Sequence, residues 1–307
     1  MKAAYFMKHG GPEVMQYGEL PDPTAGDGEV LVDVHAASVN GVDWKVRSGT
    51  YTPIERFPYI PGRDFSGVVA ALGAGVRDFV VGDAVFGVCE IGQEGAYAER
   101  IAIEAAIVAK KPASLSHAEC AALALTGITA LVSVEDTLEL KSGETILIHG
   151  GAGGVGSFAI QLAKHIGAKV ITTASAVNHA YVRALGADVI IDYRTQDFAQ
   201  EVSDCDAVFD TVGSEVAKQS FSVLRPGGRA AFIASGASAP VSPRPDVVSL
   251  RPKVGRDRPH LERILVLVAA GAVRAPEITL YPLSQAAAAH AVSEGRHLRG
   301  KLVFSLR

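Results

Sequence analysis

The alternation of hydrophobic and polar positions changes character along the chain. In the first third, short apolar runs such as Glu29–Val34, Gly67–Leu72 and Asp83–Val88 are separated by Gly, Pro and Asp. Strands this short and frequent are typical of a barrel-like β domain. From about Leu123, short apolar runs alternate with helical segments, and from about Ala270 short strand-like runs return.

The middle part has the rhythm of a parallel sheet with helical crossovers. Its predicted strands are Thr145–His149, Lys169–Thr173, Val189–Asp192, Ala207–Asp210 and Arg229–Ile233. The predicted fold class is therefore α/β, with a β-rich domain wrapped around a doubly wound parallel-sheet domain. We assign residues 1–123 and 270–307 to the β-rich domain and residues 124–269 to the other, and a length of 307 residues suggests about two domains.

A glycine-rich segment follows the first strand of the middle part. Residues 146–156 read ILIHGGAGGVG, and a helical pattern with apolar Phe158, Leu162 and Ile166 comes next. The segment fits the G-x-G-x-x-G pattern of dinucleotide-binding βαβ units, in which N–H groups at the helix start hold a pyrophosphate. The alternative is a tight turn with no ligand. The candidate cofactor-binding residues are Gly151, Ala152, Gly153, Gly154, Val155 and Gly156.

The end of the second strand predicts which dinucleotide is bound. NAD-binding chains usually carry an acidic residue there for the ribose 2′-hydroxyl, but the residues from Thr172 to His179 include none, and the next carboxylate is Asp188. Their hydroxyl and amide groups favour NADPH, with the phosphate near Ser175, Asn178, His179 and Tyr193. Helix capping by these residues is the alternative, and both can hold.

Composition and charge narrow the class of protein. A formal net charge of −4 gives no reason to expect a nucleic-acid surface. The three cysteines are far apart and odd in number, which fits a reducing compartment rather than a disulfide framework or a CxxC metal site. No apolar stretch reaches the roughly 18 residues that a membrane span needs. We therefore expect a cytoplasmic protein that binds neither nucleic acid nor membrane.

Several short segments, in their order and spacing, resemble one family over essentially the full chain. Besides the glycine-rich segment they are Gly10–Val14, Ala37–Gly49, Pro58–Val69, Thr126–Ala130, Leu185–Tyr193, Asp210–Gly213, Leu224–Gly228 and Gly300–Val303. The chain is similar to the zinc-independent quinone oxidoreductases, the zeta-crystallin-like branch of the medium-chain dehydrogenase/reductase superfamily. The resemblance implies a GroES-like catalytic domain, an inserted Rossmann domain that binds NADPH, a cleft between them and frequently a homodimer.

Members of the superfamily differ in whether they bind a catalytic zinc ion. Zinc alcohol dehydrogenases carry a Cys at the position of Asn40 and a His at that of Arg63, so the resemblance implies no metal site. It also places Asn40 and Thr129 near the nicotinamide ribose or ring. The residues that it implies on the other side of the nicotinamide are Thr211, Val212, Gly213, Ile233, Ala234 and Ser235. For Val212 and Ile233, core packing is the alternative.

The function that the resemblance implies is hydride transfer from NADPH to a quinone. Without a metal as Lewis acid, the small-molecule acceptor must already be electron-poor. Reduction of enones, by an enoyl or alkenal reductase acting on α,β-unsaturated carbonyls, is one alternative, and a non-catalytic NADPH-binding sensor or structural protein is another. The candidate catalytic residues are Asn40, Lys45, Tyr51 and Arg63.

Two features of the catalytic set stay open at this point. Members of the family often have Tyr at the position of Lys45, so the proton donor is Tyr51, Tyr59, Lys45 or water. Arg63 either faces the ligand or pairs with a nearby carboxylate. The spacing of Asp43 and Arg47 favours a local ion pair.

Overall fold

Contacts within the chain divide it into two units. The structure is a computed structural model and describes residues 1–51 and 54–307. The first unit comprises Met1–Leu125, Arg256–Val266 and Ala275–Arg307, and the second comprises Thr126–Gly255 and Leu267–Arg274.

This division differs from the sequence-based assignment at three places. Residues 270–274, which we had assigned to the β-rich domain, belong to the second unit, whereas residues 124–125 and 256–266, which we had assigned to the middle domain, belong to the first. The reason is local, because Arg258 donates to the carbonyls of Val108 and Ala105 and forms an ion pair with Asp78, all in the first unit.

The first unit is built mainly of strands. Its strands are β1 (Lys2–Phe6), β2 (Met15–Glu19), β3 (Glu29–Ser38), β4 (Asp64–Leu72), β5 (Ala84–Val88), β6 (Arg100–Glu104), β7 (Val108–Lys110), and, near the end of the chain, β14 (Ile278–Pro282) and β15 (Lys301–Ser305). The helices that begin in this unit are α1 (Gly41–Ser48), α2 (His117–Leu131), α7 (Arg258–Ala269) and α8 (Ala286–Glu294). A seven-stranded sheet has the order β14-β15-β3-β4-β5-β7, with β6 paired to β3, and β1 pairs with β2.

Alternation along β3 explains how this sheet covers its core. Its residues EVLVDVHAAS bury Val30, Val32, Val34 and Ala36, while the residues between them up to His35 are only partly buried. Successive strand side chains point to opposite faces, and the three valines join a cluster that also contains Phe65 from β4. Ala36 packs in a separate small cluster with residues of α2 and β15.

The second unit is a six-stranded parallel sheet with helices. Its strands are β8 (Thr145–His149), β9 (Lys169–Thr173), β10 (Val189–Ile191), β11 (Cys205–Asp210), β12 (Leu224–Phe232) and β13 (Val248–Leu250). Its further helices are α3 (Gly154–Ile166), α4 (His179–Ala184), α5 (Phe198–Glu201) and α6 (Glu215–Gln219). The order β10-β9-β8-β11-β12-β13 has its switch point between β8 and β11, which is where α/β sheets of this kind bind ligands.

One buried helix deserves comparison with a membrane span. The prediction that no apolar stretch reaches the length of a membrane span was wrong. Among the described residues, His117–Thr137 is long and apolar enough to cross a bilayer, but 83% of its apolar window is buried in the fold. A core helix passes the same test. Its last part, Val132–Thr137, is π-helical, a geometry that often accompanies functional sites.

Candidate active site

The carboxyl ends of the parallel strands bring the predicted cofactor-binding residues to one edge of the second unit. The glycine-rich loop follows β8, the segment from Ser175 to His179 follows β9, and Tyr193 follows β10. Thr211–Gly213 follow β11, and Ile233–Ser235 follow β12. Thr129 lies outside this set, in the last turn of α2, and its carbonyl accepts a hydrogen bond of 2.6 Å from Ser133 Oγ.

The start of α3 fits an anionic group. Helix α3 has 13 residues, its N-cap is Gly153, and no side chain caps it. The first N–H groups of a helix have no partner within the helix and carry partial positive charge. Helix α3 therefore presents its first-turn amides, from Gly154 to Gly156, at the edge where the loop segments converge.

The glycines of the loop have two different roles. A Cβ added at Gly156 would lie 2.3 Å from the carbonyl oxygen of Gly150, and one at Gly151 would lie 2.1 Å from Thr172 Oγ1. These two glycines are required by packing inside the unit. At Gly153 the nearest atom to an added Cβ is the Gly150 oxygen at 3.5 Å, so this position is open and leaves room for a ligand to approach the backbone.

The segment after β9 carries hydroxyl and amide groups and no carboxylate. Asn178 Nδ2 donates to Ser175 Oγ at 3.2 Å, and His179 Nε2 lies 3.2 Å from the carbonyl oxygen of Ala174. Neither Ser175 nor Asn178 makes a side-chain hydrogen bond that caps the following helical turn. The capping alternative is therefore wrong, and these side chains hold each other in a tight turn.

The first acidic side chain after β9 does not reach this edge. Asp188 accepts from Lys164 Nζ and from the amide of Val170, near the amino end of β9. The end of β9 therefore carries no carboxylate, as the sequence predicted, whereas Asp192 follows β10 and accepts from the amide of Arg194 at 3.0 Å.

Arg194 is a functional candidate that we missed in the sequence. It follows Tyr193 directly, both side chains are exposed, and the guanidinium carbon lies 6.0 Å from the centre of the tyrosine ring. Strand β10 is hydrogen-bonded next to β9, so the segment with Arg194 ends at the same edge as Ser175. The sequence analysis had already placed Tyr193 near the phosphate, so the positive charge of its direct neighbour was the signal that could have found it.

The turn after β11 is organised by the buried carboxylate of Asp210. Its oxygens accept from the amides of Val212 at 2.8 Å and Gly213 at 3.1 Å, and burial raises its pKa. Val212 is 42% exposed, which contradicts the core-packing alternative for its side chain. Ile233 is half-buried. Gly213 has φ +83°, and an added Cβ would lie 2.6 Å from the carbonyl oxygen of Ala234.

A buried histidine lies directly before the glycine-rich loop and is fixed by hydroxyl groups of neighbouring elements. His149, the last residue of β8, is 1% exposed, and its ring nitrogens lie 3.3 Å from Thr173 Oγ1 and 3.2 Å from Ser220 Oγ. Since Ser220 Oγ already donates to the carbonyl of Val216, it accepts from His149 Nε2–H. Burial lowers the pKa of His149 to about 3, so the ring is neutral at physiological pH.

In the first unit, Asn40 lies within a buried polar network. Its Nδ2 donates to Asp64 Oδ2 at 2.8 Å, and its Oδ1 accepts from Lys301 Nζ at 2.7 Å. Asp64 also accepts from the hydroxyl of Ser38 and, at 3.1 Å, from the amide of Leu125. The network fixes Asn40 directly before α1.

Asp43 and Arg47 do not pair, so that prediction was wrong. Asp43 accepts from Tyr97 Oη at 2.6 Å and from the amide of Asn40 at 2.8 Å, and burial raises its pKa to about 6. Arg47 is fully buried and donates to Glu294 at 2.7 Å and to the carbonyl of Gly10 at 3.1 Å. Both side chains found partners far along the chain.

Arg63 pairs with a carboxylate, which was one of the two alternatives in the sequence analysis. Its partner is Glu94, at 2.9 Å and 3.2 Å, and the two side chains are 3% and 4% exposed. Tyr51 is 46% exposed, and its ring centre lies 5.4 Å from the Arg63 guanidinium carbon. Tyr59 donates to Glu94 at 2.6 Å, and burial together with this bond raises its pKa. Tyr59 is therefore a weak proton donor.

Lys45, the remaining catalytic candidate, lies on α1 and is half-buried. Its ammonium is 5.7 Å from the centre of the Trp44 ring. Within residues 1–51 and 54–307, no group of three or more His, Cys, Asp or Glu side chains could hold a metal ion.

Comparisons with known proteins match both units. The alcohol dehydrogenase GroES-like domain matches residues 26–113, and the zinc-binding dehydrogenase family matches residues 185–304. A chloroplast envelope quinone oxidoreductase homolog of Arabidopsis thaliana is 32% identical over 96% of this chain and 94% of its own. The NADPH-dependent alkenal/one oxidoreductase of the same plant is 34% identical over 99% and 79%. Escherichia coli quinone oxidoreductase, solved with NADPH, has a TM-score of 0.92 at 29% identity and 100% coverage of both chains.

A GroES-like unit together with a parallel-sheet unit that carries a glycine-rich loop defines the medium-chain dehydrogenases and reductases. Within that superfamily, the chain belongs to the quinone oxidoreductase family. The predicted fold class and the suspected family are both confirmed.

Proposed function

We propose that the protein is a zinc-independent, NADPH-dependent oxidoreductase that reduces quinones. The observation that carries the proposal is the edge of the second unit, where the uncapped start of α3 lies beside a β9 end without a carboxylate. Relatives named as quinone oxidoreductases in Sus scrofa and Escherichia coli, 31% and 30% identical over nearly the full chain, support it.

The residues of the second unit would hold the coenzyme by backbone and hydroxyl groups. The first-turn amides of α3 face the pyrophosphate, and the open position at Gly153 lets it approach. Ser175, Asn178, His179 and Tyr193 receive the 2′-phosphate, to which Arg194 adds a positive charge. The turns at Thr211–Gly213 and Ile233–Ser235, together with Thr129, bind the nicotinamide end. When bound, NADPH supplies the hydride.

The residues of the first unit would orient the acceptor and supply hydrogen bonds and a proton to it. Asn40 offers a hydrogen bond from its buried network, and Tyr51 offers an exposed phenol stacked on Arg63. Arg63 acts through this stacking, because its Nε and Nη2 both donate to Glu94. Lys45, Tyr51 and water remain the candidate proton donors, since an anion as stable as a hydroquinone or enolate needs no strong acid.

Reduction of the C=C bond of an enone is the second candidate. The relative named as an NADPH-dependent alkenal/one oxidoreductase favours it. Both reactions would use the same residues, so product analysis separates them: a quinone gives a hydroquinone or semiquinone, whereas an enone gives a saturated ketone.

The experiment is an assay of NADPH oxidation at 340 nm against naphthoquinones and against medium-chain alkenones, with NADH in parallel. We expect turnover with quinones and a preference for NADPH. Turnover confined to alkenones would favour the second candidate. Tight NADPH binding without turnover on either panel would instead support a non-catalytic sensor or structural protein.

Assembly and location are separate proposals. The edge strand β13 leaves Val248 50% exposed, and pairing of this edge with a second copy would give a homodimer. Sedimentation of the purified protein tests this. Cytoplasmic location and the absence of nucleic-acid and membrane partners stay predictions.

A further inference from the structure

The side chain of Asn40 is held from two sides by charged groups within the first unit. Lys301, on β15, is 3% exposed and donates to Asn40 Oδ1 at 2.7 Å and to the carbonyl of Val39 at 2.8 Å. Asp64, on β4, is fully buried and accepts from Asn40 Nδ2 at 2.8 Å. Lys301 Nζ and Asp64 Oδ2 are themselves 3.6 Å apart, so the two charges compensate each other.

The chemistry of these neighbours fixes which way the amide points. A lysine ammonium only donates hydrogen bonds and an ionised carboxylate only accepts them. Rotating the Asn40 amide by half a turn would set its NH2 against Lys301 and its carbonyl against Asp64, and both bonds would be lost. Asp64 is in turn held by the amide of Leu125 at 3.1 Å, so it does not turn to follow.

One N–H of Asn40 is left over from this arrangement. Nδ2 carries two hydrogens, one of which goes to Asp64, whereas Oδ1 is occupied by Lys301. The residue is 8% exposed, so a small part of its surface is accessible to a ligand.

We propose that Lys301 and Asp64 are positioning residues, which lock Asn40 so that it offers an N–H and never a carbonyl to the reacting ligand. This inference rests on the proposed function. When a hydride adds to a quinone or enone, negative charge develops on the acceptor oxygen, and a proton from solvent then completes the reduction. A fixed N–H donor stabilises that developing charge, whereas a carbonyl in the same place would repel it.

The sharpest test exchanges two side chains. In the double variant Asn40→Asp/Asp64→Asn the total charge is unchanged, Lys301 faces a carboxylate oxygen, and the new amide at position 64 donates to it. The bonds from Lys301 and from the Leu125 amide are preserved, and the Ser38 hydroxyl, which donates to Asp64 in wild type, turns to accept from the new amide. A lone pair then replaces the N–H that Asn40 offers to the ligand. We expect a thermal midpoint within about 3 °C of that of wild type and a kcat that is lower by about 100-fold or more. Turnover within about threefold of wild type would overturn the proposal.

Single variants separate positioning from folding. Lys301→Met removes the group that orders the amide, and kcat should fall about 10- to 100-fold, the range seen when a supporting residue lets an active group move. The matched control is Lys110→Met, which removes an exposed lysine of the same unit that pairs with Asp83, and its kcat should equal that of wild type. A Lys301→Met enzyme with wild-type kcat would also overturn the proposal.

A readout independent of turnover keeps the inference distinct from the proposed function. In protein labelled with 15N-asparagine, the side-chain signals of Asn40 are identified by their loss in Asn40→Asp. We expect slow hydrogen exchange in wild type and an exchange at least about 10-fold faster in Lys301→Met. If wild type fails to oxidise NADPH in the presence of any acceptor tested, the proposed function fails. The exchange rates still decide whether Lys301 locks the amide, and equal rates in both proteins would refute that role of Lys301. The same measurement decides the case if the double variant does not fold.

Discussion

Substitution of Gly153 by Ala should weaken coenzyme binding without loosening the fold. Gly153 has φ −74° and ψ 169°, an extended conformation that alanine adopts freely, and an added Cβ meets no atom closer than 3.5 Å. The new methyl group would instead occupy the space through which a pyrophosphate approaches the α3 amides. Forcing a methyl into a close contact costs about 1–3 kcal/mol, which is roughly a 5- to 150-fold rise in Kd.

Substitution of Gly156 by Ala should instead destabilise the fold. At Gly156 the added Cβ would lie 2.3 Å from the Gly150 oxygen and 2.8 Å from the Gly151 Cα, and backbone atoms in a tight loop cannot move aside cheaply. We expect destabilisation of about 3 kcal/mol, which corresponds to a fall in Tm of about 6–12 °C.

Fluorescence titration with NADPH and thermal unfolding, run on both variants, measure the two effects. Gly95→Ala is the control, since its added Cβ would meet only Ile101 Cδ1 at 3.8 Å, and it should change neither Kd nor Tm. If Gly153→Ala binds NADPH as tightly as wild type, the loop does not approach the coenzyme, and the assignment of this edge is refuted.

Three further outcomes follow from the geometry. Arg194→Ala should raise the Kd for NADPH about 10-fold and leave that for NADH unchanged, since a lost charged hydrogen bond costs about 1.5 kcal/mol; equal effects on both coenzymes would exclude a contact with the 2′-phosphate. Ser214→Gly should stabilise the protein by about 1 kcal/mol in urea unfolding, because Ser214 has φ 57° and ψ −132°, which only glycine adopts without strain. His117 packs on His35 with ring centres 4.4 Å apart, and burial lowers its pKa to about 4. The unfolded state therefore binds more protons below about pH 6.5, so the free energy of unfolding should fall between pH 6.5 and 4, and less steeply in His117→Gln.

The sequence predicted those parts of the fold that depend on neighbouring residues. Strands β8 and β9 were predicted with their observed bounds, and the start of α3 follows from a local rule, a strand that runs through glycines into a helix. Apolar alternation and glycine position are both visible within about 20 residues. The α/β class and the order of its elements followed from them.

The side-chain partners could not be predicted in this way. Arg47 pairs with Glu294, 247 residues away, and Asp43 with Tyr97, 54 residues away. Helical spacing favoured a pair between Asp43 and Arg47, but burial in a folded core selects partners by tertiary position. Arg194 is a different case, because the sequence analysis placed its neighbour Tyr193 near the phosphate and the pairing of β10 with β9 brings both residues there.

The position of β15 has a consequence for how the chain is made. This strand lies inside the seven-stranded sheet, parallel to β14 and antiparallel to β3. During synthesis, the second unit is complete once Arg274 has left the ribosome, whereas the first unit waits for a strand that begins at Lys301. We infer that the polar network around Asn40 is among the last features to form. A nascent chain would thus acquire its coenzyme-binding half well before it acquires reactivity.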